Sequence, residues 1–236
     1  FVALESIHAN VEELLFLARG FHQDAYYEFR NRIVEAIDPQ DLTSLRTIYQ
    51  REYQQLPFSK DKQQHILNAI LIKSYMKAID ETVTLTSEEE RVLHDYLFSV
   101  EIWGLYELSF FSSCSPLLSV QLLTKYTREM LRKSDFLQGV GKNRNMMYTL
   151  LLNAFMACIE IDDFTNALYF KKQIEKNFFE ENETYFRIVY LWAEGLLDSK
   201  QGRAEEGQRK MEDAVRIFEM IGCRKSADYY RSAIEC

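Results

Sequence analysis

Apolar residues recur three and four positions apart along most of this chain, as they do on the buried face of an amphipathic helix. One such set near the start of the sequence is Val11, Leu14, Leu15 and Ala18. The chain contains only eight Gly and three Pro, and no run of β-branched residues is bounded by turn signals. The pattern therefore predicts an all-α protein built from about a dozen short helices.

Capping residues mark where several of these helices begin. Ser87 is followed three positions later by Glu90, which is the spacing of a capping box. Asp162 precedes Phe164 and is the N-cap expected for another helix. Because only short connectors separate the predicted helices, we expect one continuous domain from residue 1 to residue 236.

The C-terminal third contains a repeated spacing of small and apolar residues. The pattern of a tetratricopeptide helix pair, in which small residues let two helices approach closely, fits Gly195, Gly202, Gly207, Met211 and Ala214. A similar set, about 40 residues earlier, comprises Phe155, Asp162, Phe164 and Ala167. The predicted fold is a right-handed superhelical stack of tetratricopeptide-like helix pairs with a capping or dimerisation helix at the C-terminus.

Net charge and composition indicate which classes of binding partner this segment lacks. The net charge is −8, so this segment lacks the basic face on which binding to DNA phosphates rests. No apolar run reaches the roughly 18 residues of a membrane-spanning helix, which predicts a protein without a membrane partner. The four cysteines include no C-x-x-C pair, and we expect reduced thiols and a cytoplasmic location. Since the chain opens at Phe1 with neither Met nor a signal region, it is interpreted as a fragment of a longer protein.

Catalytic and metal sites find little support in the sequence. The four histidines are far apart, and none belongs to an H-E-x-x-H helix. The glycines that end at Gly141 do not complete a phosphate-binding loop, because the first glycine of that motif would stand at Phe136. We therefore predict no enzyme activity, no metal and no cofactor.

Polar side chains on an otherwise apolar helix indicate a binding surface. Asn145, Thr149 and Asn153 are four positions apart, which brings them towards one side of the helix. An Asn amide has two donor hydrogens and an acceptor oxygen, enough to bind the backbone of an extended peptide in both directions. The alternative is a structural Asn bonded to a neighbouring helix.

Four stretches of the sequence are distinctive in their order. They are FVALESIHANVEELLFLARGF at residues 1–21, WGLYELSFF at residues 103–111, the helix at Leu152-Asn153 that runs into Cys158-Ile159, and the closing stretch from Gly207 through Met211, Ala214 and Ile217-Phe218 to Gly222. Together they resemble the C-terminal regulatory domain of the Rgg/GadR/MutR family of transcription regulators from streptococci and related Gram-positive bacteria.

The resemblance implies a cytoplasmic quorum-sensing regulator. Members of the family join an N-terminal helix-turn-helix, which would lie upstream of Phe1, to a helical-repeat domain that dimerises and binds a short hydrophobic peptide pheromone. DNA would then be contacted only through the missing N-terminal domain, which accounts for the acidity of the present chain. Within WGLYELSFF, Trp103 and Leu108 would belong to the core, whereas Tyr106 and Phe110 would face the groove and stack on the peptide.

The peptide is expected to lie along a concave groove. Asn153 would hold the peptide backbone, and Tyr148 and Tyr190 would flank apolar side chains of the peptide. Arg144 or Arg187 would meet the C-terminal carboxylate of the peptide or an acidic residue. The full set of predicted peptide-binding residues is Asn153, Tyr148, Asn145, Arg144, Tyr106, Phe110, Tyr126, Arg187 and Tyr190.

The last predicted helix carries an apolar stripe that no further repeat would cover. The stripe consists of Ala227, Tyr230, Ala233 and Ile234, and it predicts a homodimer formed through this helix.

The alternative function of the protein is a helical-repeat scaffold that binds a partner protein's helix or tail, without a role in DNA binding. A third hypothesis is a subunit or regulator of an enzyme.

Overall fold

The computed structural model describes Ala18 and residues 25–37, 41–133, 141–176 and 179–234, and every regular element in these ranges is helical. The prediction of an all-α fold is thereby confirmed. The α-helices with described bounds are α1 (Ala25–Ile37), α2 (Leu42–Gln55), α3 (Lys62–Ile79), α4 (Ser87–Ser99), α5 (Leu105–Cys114), α6 (Val120–Lys133), α7 (Gly141–Glu160), α8 (Phe164–Lys176), α9 (Thr184–Lys200), α10 (Ala204–Met220) and α11 (Arg224–Ser232). A short 3-10 helix, Ser115–Leu117, follows α5.

The chain divides into two compact units, Phe1–Leu93 and His94–Cys236. In the first unit, α2 packs on both α1 and α3. In the second unit, α7 packs on α5, α6, α8 and α9, and the pair formed by α9 and α10 is the most extensive. That both units belong to one domain stays a prediction.

The capping box at the start of α4 lies one residue earlier than the sequence suggested. Glu89 N–H donates to Thr86 Oγ1 at 3.3 Å, and Thr86 N–H donates to Glu89 Oε2 at 2.7 Å. Ser87 and Glu90 have the same spacing but are not the reciprocal pair. The reason is that Glu89 is fully buried and bound by further partners, which fixes the register of the helix start.

Those partners form a buried polar network within the first unit. Glu89 Oε2 accepts from Lys73 Nζ at 2.6 Å, and Oε1 accepts from the hydroxyls of Tyr49 at 2.8 Å and Tyr53 at 3.0 Å. Lys73 Nζ also donates to the carbonyl of Thr84 at 2.9 Å. Both charges are hydrogen-bonded on several sides, which offsets the cost of taking them out of water.

The network predicts a loss of stability in acid. Burial opposes the charged form of Glu89, but the hydrogen bonds from Lys73, Thr86 and Tyr49 outweigh it and hold the pKa of Glu89 below its ordinary value of 4.5. A lowered folded-state pKa stabilises the protein above the ordinary value, and this contribution is lost as pH falls through the folded value. In urea titrations, Glu89→Gln is therefore expected to lose less stability on acidification than the unchanged protein. Equal losses would show that Glu89 does not carry this pH dependence.

The helices α7, α9 and α10 of the second unit end in the same kind of turn. Asp162, Gly202 and Gly222 adopt φ angles of 59°, 87° and 79°, the left-handed conformation that commonly ends a helix. In each turn the N–H of the following residue donates to a carbonyl of the helix: Asp163 to Cys158 at 2.8 Å, Arg203 to Asp198 at 2.9 Å and Cys223 to Phe218 at 2.8 Å. These bonds define the Schellman motif.

The shared turn confirms the repeated helix pair that the sequence predicted. Asp162 and Gly202 hold the same position in the turns that join α7 to α8 and α9 to α10. The predicted N-cap role of Asp162 is wrong, because this residue occupies the left-handed position. Asp163 caps α8 instead, since its carboxylate accepts from the N–H of Asn166 at 3.1 Å.

Two residues of the apolar stripe on the C-terminal helix α11 are buried by the chain itself. Tyr230 is 6% exposed, and its ring stacks on Phe218 at 5.6 Å and packs on Trp192 at 5.2 Å. Ala227 is 1% exposed. The expectation that nothing covers this stripe is therefore wrong for these two residues, because α9 and α10 supply the rings that pack on it. Ala233 is exposed and Ile234 is half-buried, and a homodimer formed through this helix stays a prediction.

Within the described ranges, no helix is both long enough and apolar enough to cross a membrane.

Candidate functional site

The aromatic stretch WGLYELSFF, residues 103–111, overlaps α5 and lies mostly in the core. The side chains that are at most 1% exposed are those of Trp103, Leu108, Phe110 and Phe111. Tyr106 is half-buried, and its ring stacks on that of Phe110 with 6.2 Å between the ring centroids. Of the two rings predicted to face a groove, only Tyr106 therefore offers surface to a ligand.

Tyr126 belongs to the same aromatic core. It is 4% exposed, and its ring packs edge-on against Phe111 at 6.2 Å. Its hydroxyl donates to the carbonyl of His94 at 3.5 Å. Burial raises the pKa of the Tyr126 phenol, so the hydroxyl keeps its proton at neutral pH.

Two other predicted site residues meet at Phe179, a ring that is 1% exposed. Tyr148 on α7 packs edge-on against Phe179 at 4.7 Å, and Tyr190 on α9 does so at 6.1 Å. Tyr190 also donates its hydroxyl to Glu175 Oε1 at 3.0 Å. These tyrosines thus join α7 and α9 through a shared ring, a contact that the sequence analysis missed.

The two predicted arginines hold the segment that leads into α9. Arg144 Nε donates to Glu183 Oε1 at 2.9 Å, and its Nη1 lies 3.3 Å from Glu180 Oε1. Arg187 donates to the backbone carbonyls of Phe179 at 2.6 Å and Glu180 at 3.0 Å. Any acidic group of a ligand would have to compete with these partners.

Helix α7 separates the predicted site residues by the side they occupy. Arg144 and Asn153 are nine positions apart, or two and a half turns, and therefore lie on opposite sides of the helix. Arg144 and Tyr148 border a cavity, whereas Asn145 and Asn153 are not part of its lining. One peptide segment cannot contact Arg144 and Asn153 on the same face of α7.

The amide face of α7, defined by Asn145, Thr149 and Asn153, is partly open to solvent. Asn145 is exposed, and Thr149 and Asn153 are half-buried. Thr149 Oγ1 donates to the backbone carbonyl of Asn145 at 3.0 Å. Within the described ranges, the Asn153 amide makes no hydrogen bond, so its donors and acceptor remain available to a ligand.

The cavity on the other side of α7 lies between α6, α7 and α8 and has a volume of about 520 Å³. Each helix lines it with residues at helical spacing: Lys125, Arg128, Glu129, Leu131 and Arg132 from α6, Arg144, Met147, Tyr148 and Leu151 from α7, and Tyr169, Gln173 and Lys176 from α8. Five of these side chains are cationic and one is anionic, in a chain with a net charge of −8. We call this feature the cationic cavity.

The residues of α6 and α8 that line this cavity were not among the predicted site residues. Lys125, Arg128 and Arg132 stand at positions i, i+3 and i+7, which places three cations on one side of α6. A search for clustered positive charge at helical spacing would have found this stripe. In the part of the chain that the structure describes, no group of three or more His, Cys, Asp and Glu side chains is placed to hold a metal ion.

Comparison with known proteins identifies the fold and the family. Two solved structures of the SHP pheromone receptor Rgg2 from Streptococcus dysgalactiae, one of them a variant in which a cysteine is replaced by serine, match with TM-scores of 0.80 at 23% and 22% identity. Each match covers 98% of this chain, with 80% of the Rgg2 chain and 81% of the variant covered. A candidate transcriptional regulator from Listeria monocytogenes EGD-e matches with a TM-score of 0.77 at 18% identity, over 98% of this chain and 80% of that one.

The family assignment rests on the sequence of the chain itself. A family model described as the C-terminal domain of the HTH-type transcriptional regulator Rgg matches residues 49–232. The match begins in α2 and ends at the last residue of α11, so it includes the amide face and the cationic cavity. The protein therefore belongs to the Rgg family of transcriptional regulators, as a C-terminal domain of that family.

Proposed function

We propose that this protein is the peptide-sensing domain of a quorum-sensing transcriptional regulator. It binds a short hydrophobic peptide pheromone and thereby controls a helix-turn-helix domain encoded upstream. Family membership and the pheromone receptors among the similar structures support this proposal. The observation that carries the location of the site is the half-buried Asn153, whose amide has no hydrogen-bond partner within the described residues.

The chemistry of the amide face suits an extended peptide. An unpaired amide on a partly buried surface can accept from a peptide N–H and donate to a peptide carbonyl without regard to the side chains of that peptide. Tyr106 on α5, a helix that packs on α7, offers a half-buried ring for an apolar side chain. Backbone recognition supplies affinity in this arrangement, and the Tyr106 ring supplies selectivity.

The acidity of the chain supports the proposal that this domain binds the peptide and a separate domain binds DNA. A net charge of −8 disfavours contact with DNA phosphates, so DNA is bound through the upstream domain alone. The regulator works in the cytoplasm as a homodimer, and the surface at Ala233 and Ile234, directly after α11, contributes to the dimer interface.

Asn153→Ala tests the peptide site. We expect this variant to bind every cognate peptide more weakly by about 1–3 kcal/mol, because a buried backbone group of the peptide loses its partner. Fluorescence anisotropy with labelled short hydrophobic peptides, encoded beside the native gene, measures the affinity. Asn182→Ala is the matched control, since Asn182 is exposed and likewise has no hydrogen bond in the described ranges.

Thermal stability separates the two interpretations of Asn153. If Asn153→Ala lowers the melting temperature sharply and leaves peptide affinity intact, Asn153 is a structural amide and the proposed site is wrong. If no peptide binds the unchanged protein, whereas a helix or tail of another protein does, the alternative function as a scaffold replaces the receptor.

A further inference from the structure

The cationic cavity has an apolar floor and a charged rim. The rim consists of its five cationic residues, Lys125, Arg128, Arg132, Arg144 and Lys176. Its floor consists of Met147, Tyr148 and Leu151, which are 3%, 7% and 4% exposed. A ligand that covers this floor removes the remaining apolar surface from water, which favours binding. The volume of about 520 Å³ lies within the range of small-molecule sites in proteins.

The charges of the rim are not all neutralised by the protein. Arg132 pairs with Glu129 at 2.6 Å, and Arg144 pairs with Glu183. Lys125, Arg128 and Lys176 have no carboxylate within ion-pairing distance in the described ranges, although the charge of Arg128 contributes to lowering the pKa of the nearby Asp163 carboxylate. Like charges around one cavity repel each other, so an anion between them lowers the electrostatic energy of the site.

One of these cations is held in place. The guanidinium of Arg128 lies 3.9 Å above the ring centre of Tyr169, and its Nη2 donates to Asn166 Oδ1 at 2.6 Å. Stacking and this hydrogen bond reduce the side-chain freedom that a ligand would otherwise have to remove. Arg128 thus presents an oriented positive charge beside an apolar floor.

We infer that the cationic cavity is a second ligand site, which binds a small amphipathic carboxylate with its apolar part on the floor and its carboxylate at Arg128 and Lys176. The site lies on the side of α7 opposite Asn153, so its ligand does not use the amide face. This inference does not depend on the proposed function.

Binding of anilinonaphthalene sulfonate, a fluorescent amphipathic anion, tests the site. We expect one saturable site per chain, and we expect decanoate to displace the dye while decanol, its uncharged counterpart, does not. The uncharged analogue N-phenylnaphthylamine should bind more weakly than the anionic dye. Added salt should lower the affinity for the anionic dye only, because salt screens charge interactions. Equal binding of the two dyes would overturn the inference, because the rim charges would then contribute nothing.

A pair of matched double variants locates the site. The double variant Arg128→Gln with Lys176→Gln should lower the affinity for the anionic dye by about tenfold, since each exposed ion pair contributes modestly to binding. Lys172→Gln with Arg209→Gln removes the same charge from exposed residues outside the cavity lining and should change dye affinity little. Equal affinities in the two double variants, or displacement of the dye by the cognate peptide, would contradict a separate anion site.

Discussion

Replacing Lys73 by Met is expected to lower the free energy of unfolding by about 3–5 kcal/mol, the usual cost of breaking a buried ion pair from one side. The variant leaves the Glu89 carboxylate, which is 0% exposed, without the ammonium 2.6 Å away. The hydroxyls of Tyr49 and Tyr53 remain as hydrogen-bond donors, but neither carries a compensating charge. Urea denaturation followed by far-ultraviolet circular dichroism measures the change.

Two further variants decide whether charge pairing is the cause. Lys62→Met is the control on the same helix α3, where Lys62 is exposed, and we expect it to change stability by less than about 0.5 kcal/mol. Lys73→Met combined with Glu89→Gln should recover part of the loss, because no unpaired charge is then buried. If the double variant is less stable than Lys73→Met, the network stabilises through the shape of its side chains and not through its charges.

The local elements could be predicted from the sequence because local patterns determine them. Helix periodicity and the turn at Gly202, with its counterpart at Asp162, involve residues within a few positions of one another. The cap of α4 could not be predicted in the same way, because two pairs have the three-residue spacing of a capping box. These pairs are Ser87 with Glu90 and Thr86 with Glu89. Only the tertiary contact between Lys73 and Glu89 selects between them.

The candidate site shows the same limit. The polar stripe of α7 was visible in the sequence, and helix geometry alone places Arg144 and Asn153 on opposite sides of α7. Proximity along the chain suggested that both residues contact one peptide, but their angle around the helix axis excludes it. The cationic cavity is different, because it exists only where α6, α7 and α8 pack together. No local pattern specifies such packing.

Replacing Gly207 by Ala is expected to destabilise the second unit by about 1–3 kcal/mol, the usual cost of overpacking. A Cβ atom at Gly207 would overlap the backbone of α9 at the carbonyl of Gly195 and would lie 2.6 Å from the backbone nitrogen of Ser199. Backbone atoms cannot rotate away as a side chain can, so α9 and α10 must separate along their extensive contact. This cost exceeds the gain in helix propensity of at most about 1 kcal/mol that Ala brings.

Tryptophan fluorescence during urea denaturation suits this measurement, because both tryptophans, Trp103 and Trp192, lie in the second unit. Gly141→Ala is the matched control: a Cβ at Gly141 meets no atom of the described residues within 4 Å, so we expect a change below about 0.5 kcal/mol. Gly195→Ala should destabilise in the same way, since its Cβ would lie 2.6 Å from the carbonyl oxygen of Gly207. The two substitutions should cost less together than the sum of their separate effects, because the first already forces the helices apart. Additive costs, or a Gly207→Ala protein as stable as Gly141→Ala, would contradict a close approach of α9 and α10 at this pair of glycines.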